Sequence, residues 1–448
     1  MLPELISPPA PIAPEVYYAR RARLMQQLPA DAAVILPGAS LVTRSRDSEY
    51  AFRQDSDFYY LTGMTEPDAL LLLLPGNGEQ DGQSIVFCQD RDPAMEAWTG
   101  RRLGAEGVMR EHGVDQAFEN AVREEQMSAL LGGREVLYLP LSSPEAQSLA
   151  EDAYQQALGA QRRGHAPLRG WLDISPLIHE MRLIKSTEEI TLLRHAAAIS
   201  ARAHCRAMQT ASAGLFEYQL QAALEHEFVW QGGSGPAYNS IVGGGANACV
   251  LHYIENASPL KAGDLVLIDA GAEYALYAGD ITRTFPVSGV FTEPQRALYR
   301  IVLEAQKKAV AAVRPGATLN AIHQGVVRDL TQGLISLGLL DGDIDTCIKD
   351  ESYRRFYLHS TSHWLGLDVH DVGTYRLDPE IHRPLQPGMV VTIEPGLYLP
   401  DDEDIPACYR GLGIRIEDDV VVTSQGHDVL TMDVPKEIAD IEALMVRK

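Results

Sequence analysis

The chain has 448 residues, 46% of them hydrophobic and 22% charged, a globular composition that excludes wholesale disorder and fibrous repeats and suffices for two domains. Acidic residues outnumber basic ones 61 to 38, giving a net charge of −23, a field that repels phosphate backbones and anionic lipid, so neither nucleic acid nor membrane is an expected partner. The longest purely apolar run, residues 69–74, stops at Pro75, far short of the roughly 20 residues a membrane-spanning helix needs.

Short apolar runs over 32–36, 70–74, 84–87 and 136–139 read as strands, and 17–28 and 144–158 as amphipathic helices. Their alternation predicts an α/β domain. Pro167, Gly170 and Pro176 then break the pattern, and the expected domains are 1–175 and 176–448. The second opens on Ser186 and Glu189, a capping-box spacing before Ile190, Leu193 and Ala197 at helical period. Further helices are expected over 216–230, from Thr292 (with Gln295 three residues on) to just before Pro315, and over 318–337.

Five cysteines, at 88, 205, 249, 347 and 408, stand singly with no C-x-x-C, which fits a reducing cytosol better than a disulfide framework. No basic start leads into an apolar stretch, so no secretory signal is expected. The expected location is cytoplasmic.

One word occurs twice in the second domain. Gly263-Asp264-Leu265-Val266-Leu267-Ile268-Asp269-Ala270-Gly271 aligns without a gap with Gly388-Met389-Val390-Val391-Thr392-Ile393-Glu394-Pro395-Gly396. Each is followed by a predicted strand carrying another acid, Asp280 in the first copy and Glu417 in the second. An acid at the end of an apolar strand is costly unless compensated. One such acid usually caps a turn or pairs with Arg; four in two copies of a motif point instead to a shared proton or cation. Oxygen-rich sites favour hard divalent ions, and one imidazole shifts the preference toward Mn²⁺, Fe²⁺, Co²⁺ or Zn²⁺. The segment 359–371 supplies His359, His363 and His370, three of only 13 histidines. His252 lies 17 residues before Asp269. His195, His204 and His323, scattered along helices, read as surface or satisfied core residues.

Rival patterns fail. His179-Glu180 and His226-Glu227 lack a second His four residues on, and neither a nucleophile elbow nor a Walker loop occurs. The run 243–248 fits the loose G-x-G-x-x-A form, but a strand rather than the required helix is expected after it.

In order and context, Asp269, Asp280, His363, Glu394 and Glu417 resemble the ligand set of the pita-bread metallopeptidases, which include methionine aminopeptidase, prolidase and aminopeptidase P. The words at 43–50, 279–286, 362–371 and 413–418 are most similar to bacterial Xaa-Pro aminopeptidases, and the resemblance covers nearly the whole chain. One departure lies at Ser360-Thr361, where bacterial members more often have Gly-Leu. The resemblance implies an α/β (α+β) protein: a creatinase-like N-terminal domain, then a pita-bread catalytic domain with an internal pseudo-twofold repeat.

It also implies roles. Two divalent ions, Mn²⁺ being the expected metal, would be bridged by Asp280 and Glu417, with Asp269 completing one and His363 with Glu394 the other. Ions about 3.5–4 Å apart can depress the pKa of a shared water and yield the hydroxide that attacks the bond before proline. Glu394 would move the proton, and His252 and His370 would donate to the substrate carbonyl and oxyanion. His359 would accept the proline, Arg415 would hold the ligand carboxylates, and Tyr398 would line the site. The implied substrates are peptides with proline second, and the implied assembly is a homo-oligomer, dimer or tetramer. Trp98, set among charges in Trp98-Thr99-Gly100-Arg101-Arg102, is either a packed core residue or an anchor at a neighbouring subunit's active-site mouth. The alternatives are an Xaa-Pro dipeptidase and a metal-free peptide-binding module. Retention of all five ligands and both accessory histidines argues against the module.

Overall fold

The computed structural model describes residues 5–77, 81–161, 164 and 166–446. Pro11–Arg182 forms one unit, and Leu183–Lys448 with the residues up to Ala10 forms the other. The division falls later than the expected 175/176 break because the Ser175–Leu183 helix is tied to the first unit. There Arg182 Nη1 donates to Asp57 Oδ1 at 2.7 Å and the Tyr60 hydroxyl to the Met181 carbonyl at 3.1 Å.

The first unit is built on a mixed sheet in the order Gln116–Glu119, Gln83–Cys88, Leu70–Leu74, Ala32–Pro37, Val136–Leu139, Gly170–Asp173. Ala32–Pro37 is buried along its length, pairing antiparallel with Leu70–Leu74 and parallel with Val136–Leu139. An all-apolar sequence suits a strand covered on both faces. The first helix is Pro14–Met25 rather than 17–28. Proline at the first helical position loses no hydrogen bond, so it starts the helix instead of preceding it.

In the second unit the helices begin at the expected caps. Ser186 and Glu189 make both reciprocal bonds ahead of Thr187–Thr210, whereas ahead of Glu293–Ala312 the Thr292 amide donates to Gln295 Oε1 at 2.9 Å. Thr318 caps Leu319–Ser336 by accepting from the Ala321 amide. These helices bury Ile199, Val302 and Leu330 against Ile268, Phe285, Ile393 and Ile414 of the strands. The two copies of the repeated word form equivalent strands, Leu265–Asp269 and Val390–Ile393, each antiparallel to the strand that follows the second acid, Thr282–Pro286 and Asp418–Thr423. The acids Asp280 and Glu417 lie just before those strands, not within them. The copies differ in register: Asp269 faces Thr282, whereas Ile393 faces Asp418. The glycine that ends the first word is required sterically, since a Cβ at Gly271 would overlap the Gly279 carbonyl beside Asp280.

The glycine run forms the end of the Ile241–Gly244 strand and a 3₁₀ turn, Gly245–Cys249. The strand expected after it does not form: the Val250 amide turns back to the Asn247 carbonyl at 3.0 Å, and residues 251–257 run on without strand pairing. Among the described residues no helix is long and apolar enough to cross a membrane.

Candidate active site

The carboxylates and the imidazole meet because strand ends converge. Asp269 is the last residue of its strand, Asp280 sits two residues before Thr282–Pro286, Glu394 follows Ile393, and Glu417 links Leu412–Arg415 to Asp418–Thr423. The two halves are stitched at this point: the Glu417 amide donates to the Thr282 carbonyl at 3.1 Å and the Thr282 hydroxyl to Glu417 Oε2 at 2.6 Å. His363 is held against the second copy by the Thr392 amide donating to its carbonyl at 3.0 Å.

Asp280, His363 and Glu417 each place one ligand atom within 4.8 Å of the other two. His363 Nε2 is 3.4 Å from Asp280 Oδ2 and 3.6 Å from Glu394 Oε1. Its Nδ1 lies 3.0 Å from the Trp364 carbonyl, which can only accept. Nδ1 therefore carries a proton in either charge state, so Nε2, which faces the carboxylates, is the nitrogen that can ligate a metal once its own proton leaves, with the backing typical of a metal-ligating histidine. Arg415 Nη2 donates to Asp269 Oδ2 at 2.7 Å. The Tyr238 hydroxyl is 2.6 Å from Asp269 Oδ1 and 2.5 Å from Asp280 Oδ1. That hydroxyl has one proton, so it cannot donate fully to both.

These groups resist being charged together. Burial, then the charges of Asp280, Glu394 and Asp269, holds the Glu417 carboxyl well above its usual range. Burial and neighbouring Asp269 raise Asp280 as well. Burial raises Glu394 to about 7, against the pull of His363 and Arg415. His363 goes the other way: burial opposes its charge, but the Asp280 hydrogen bond and the Glu394 charge lift it to about 9. A buried anionic cluster that must borrow protons in the absence of a cation is one a divalent ion relieves. The donor set, four carboxylates and one imidazole, fits a hard or borderline ion.

The cluster forms the floor of a cleft of about 860 Å³ lined also by His252, His359, His370 and Arg415. His370 stacks edge-on against His363 at 4.4 Å between centroids, and burial and the His363 charge keep its pKa low. Its loop is pinned by the buried ion pair Lys185 Nζ–Asp371 Oδ2 at 2.8 Å. His359 Nδ1 donates to the Ser360 carbonyl and its Nε2 meets the Tyr398 hydroxyl, both at 2.8 Å. With both nitrogens engaged and burial lowering its pKa to about 3, His359 offers a neutral ring rather than a hydrogen bond. Tyr398 corrects an expectation. It does not line the cleft but is buried behind it, its hydroxyl held between His359 and Arg415 Nη1.

Trp98, on the Pro93–Thr99 helix of the first unit, is 87% exposed, which removes the packed-core alternative. His195 and His204 are buried away from the cleft, but His323, set aside from sequence, lines it. Tyr238 and Thr282 gave no local signal. Their importance depends on strand pairing across long separations.

Buried carboxylates and an imidazole at the foot of an open cleft define a metal-dependent hydrolase. The model of metallopeptidase family M24 matches residues 191–424, and that of the aminopeptidase P N-terminal domain matches 17–138. The Xaa-Pro aminopeptidases of Haemophilus influenzae and Escherichia coli are each 45% identical to this chain, over 97% of its length and 98% of theirs. Zinc-substituted E. coli aminopeptidase P in complex with product superposes with a TM-score of 0.95, covering 98% of this chain and all of that one, at 45% identity. Pseudomonas aeruginosa aminopeptidase PepP gives 0.94 at 46% identity, covering 97% of this chain and 98% of its own. The chain belongs to metallopeptidase family M24, with the aminopeptidase P type of N-terminal domain, and carries a divalent-metal site.

Proposed function

We propose that the protein is a metal-dependent aminopeptidase that removes the N-terminal residue from peptides with proline in second position. The observation that carries this reading is the convergence of Asp269, Asp280, His363, Glu394 and Glu417 on one cleft floor, with His252 and His370 on the cleft wall outside that set. The five would hold two divalent ions, Asp280 and Glu417 being shared between them, and Mn²⁺ is the ion this carboxylate-rich set favours. Bound there, such ions supply Lewis acidity and a water of lowered pKa.

The chain's own residues do the rest. Glu394, on the cleft floor 3.6 Å from His363, takes the proton from the attacking water and returns it to the departing prolyl nitrogen. His252 and His370 donate to the scissile carbonyl as it becomes an oxyanion. The His359 ring packs on the pyrrolidine, and Arg415 fixes Asp269. The carboxylates also attract the cationic N-terminus, which selects for an exopeptidase. An imino-acid bond offers no N–H, and a wall shaped for the ring can select it.

The protein assembles as a homo-oligomer, dimer or tetramer, in which the exposed Trp98 closes a neighbouring cleft and admits only thin, extended peptides. Its five free cysteines fit a reducing, cytoplasmic setting. The test is to incubate Mn²⁺-loaded protein with Xaa-Pro-Yaa, Xaa-Pro and Xaa-Ala peptides and identify products by mass spectrometry. Release of Xaa from the first is expected. Cleavage of the dipeptide alone would make it a dipeptidase, and cleavage of none would reject the reading.

A further inference from the structure

One wall of the cleft is formed by the first turn of the Leu319–Ser336 helix, which contributes Leu319, Asn320 and His323. His323 Nδ1 is 2.8 Å from the Thr361 hydroxyl, and the Tyr357 hydroxyl is also 2.8 Å from it. Thr361 stands at the departure from the bacterial family's usual Gly-Leu.

Proton counting fixes the direction of this chain. Tyr357 is 1% exposed, and among the described residues its hydroxyl has no partner other than Thr361. A buried hydroxyl proton without an acceptor is costly, so Tyr357 donates to Thr361. Thr361 has one proton left and donates it to His323 Nδ1. Burial and the nearby Arg354 charge lower the His323 pKa, so the ring is neutral. Its own proton therefore resides on Nε2, for which no protein acceptor exists among the described residues.

A neutral N–H donor on the wall of a peptide cleft calls for an acceptor oxygen. A proline-containing peptide lacks one main-chain N–H but keeps every carbonyl, so carbonyl oxygens are what it presents. We infer that His323 is a substrate-binding residue whose Nε2–H donates to a main-chain carbonyl of the bound peptide, and that Tyr357 and Thr361 are positioning residues that set its tautomer. This rests on the aminopeptidase reading.

The experiment measures KM and kcat on one Xaa-Pro-Yaa peptide for wild type, His323→Ala, His323→Gln, Thr361→Val, Thr361→Ser and the His323→Ala/Thr361→Val double variant. His323→Ala is expected to raise KM about three- to tenfold, the size of one neutral hydrogen bond, with a smaller effect on kcat. His323→Gln, which keeps a donor, recovers part of this. Thr361→Val raises KM less, Thr361→Ser restores it, and the double variant is no worse than His323→Ala alone. Melting temperatures identify any variant that fails to fold. Calorimetric binding of the same peptide to metal-loaded Glu394→Gln protein, with and without His323→Ala, reads the contact independently of cleavage. Loss of wild-type cleavage with this difference intact would reject the function and keep the contact. Unchanged KM and affinity in His323→Ala, or a Thr361→Val effect that adds in full to it, would overturn the inference.

Discussion

Cation binding to this site should expel protons, and the structure sets how many. In the cation-free protein His363 sits at about 9 and Glu394 at about 7. At pH 7 the first is almost fully protonated and the second about half, so these two groups alone release about 1.5 protons when the site loads. Freeing His363 of its proton at pH 7 costs about 3 kcal/mol, a weakening of apparent affinity of about fiftyfold relative to pH 9, where the ring is half deprotonated. Isothermal titration with Mn²⁺ in buffers of different ionisation heats measures the proton count directly. Replacing His363 with Ala should lower that count by about one while weakening the ion at its own position. Stability follows with the opposite sign. Both groups hold protons more tightly folded than unfolded, so each stabilises the cation-free protein below its ordinary value, 4.5 for Glu394 and 6.5 for His363, and loses that contribution as pH rises through about 7 and about 9. Below about pH 6.5 the histidines of lowered pKa, His359 and His204 among them, pull the other way, so the cation-free melting temperature should fall between about pH 7 and 9, and Mn²⁺ should abolish most of the fall. Proton-free binding with pH-independent affinity would refute this electrostatic account.

Replacing His252 or His370 with Ala should leave metal binding intact and cost about 10²- to 10³-fold in kcat; metal loss equal to that of His363→Ala would erase the distinction between donors and ligands. Tyr238→Phe removes the hydroxyl that lies between Asp269 and Asp280 and should weaken metal affinity about 10-fold or more, which a competition titration with a fluorescent chelator reads; wild-type affinity would mean the contact is incidental. Lys185→Met breaks the ion pair with Asp371, both side chains being 1% exposed, and should destabilise the fold by about 3 kcal/mol in urea titrations. A shift below about 0.5 kcal/mol would show that other groups hold the His370 loop.

What was legible in the sequence was local or repeated. Capping boxes at Ser186 and Thr292 place helix starts because their chemistry lies within four residues. The repeated word exposed Asp269 and Glu394 because one pattern recurs intact. What stayed hidden depends on pairing across the fold. Thr282 matters because its carbonyl and hydroxyl meet Glu417 from 135 residues away. His323 resembled any helical histidine until the Leu319–Ser336 helix brought its first turn beside Thr361. The resemblance implied that Tyr398 lines the site, but its strand, paired with that of Arg415, carries its hydroxyl behind the wall, between His359 and Arg415.

The most direct test of the central claim is to count bound metal by mass spectrometry while titrating Mn²⁺ into metal-free wild-type and Glu417→Ala protein, following Xaa-Pro-Yaa cleavage at each step. The account predicts no cleavage without metal, two ions per wild-type chain at full activity, and loss of both ions in the variant, because Glu417 serves both positions. Full activity of the metal-free protein, or a Glu417→Ala variant that binds two ions normally, would contradict it.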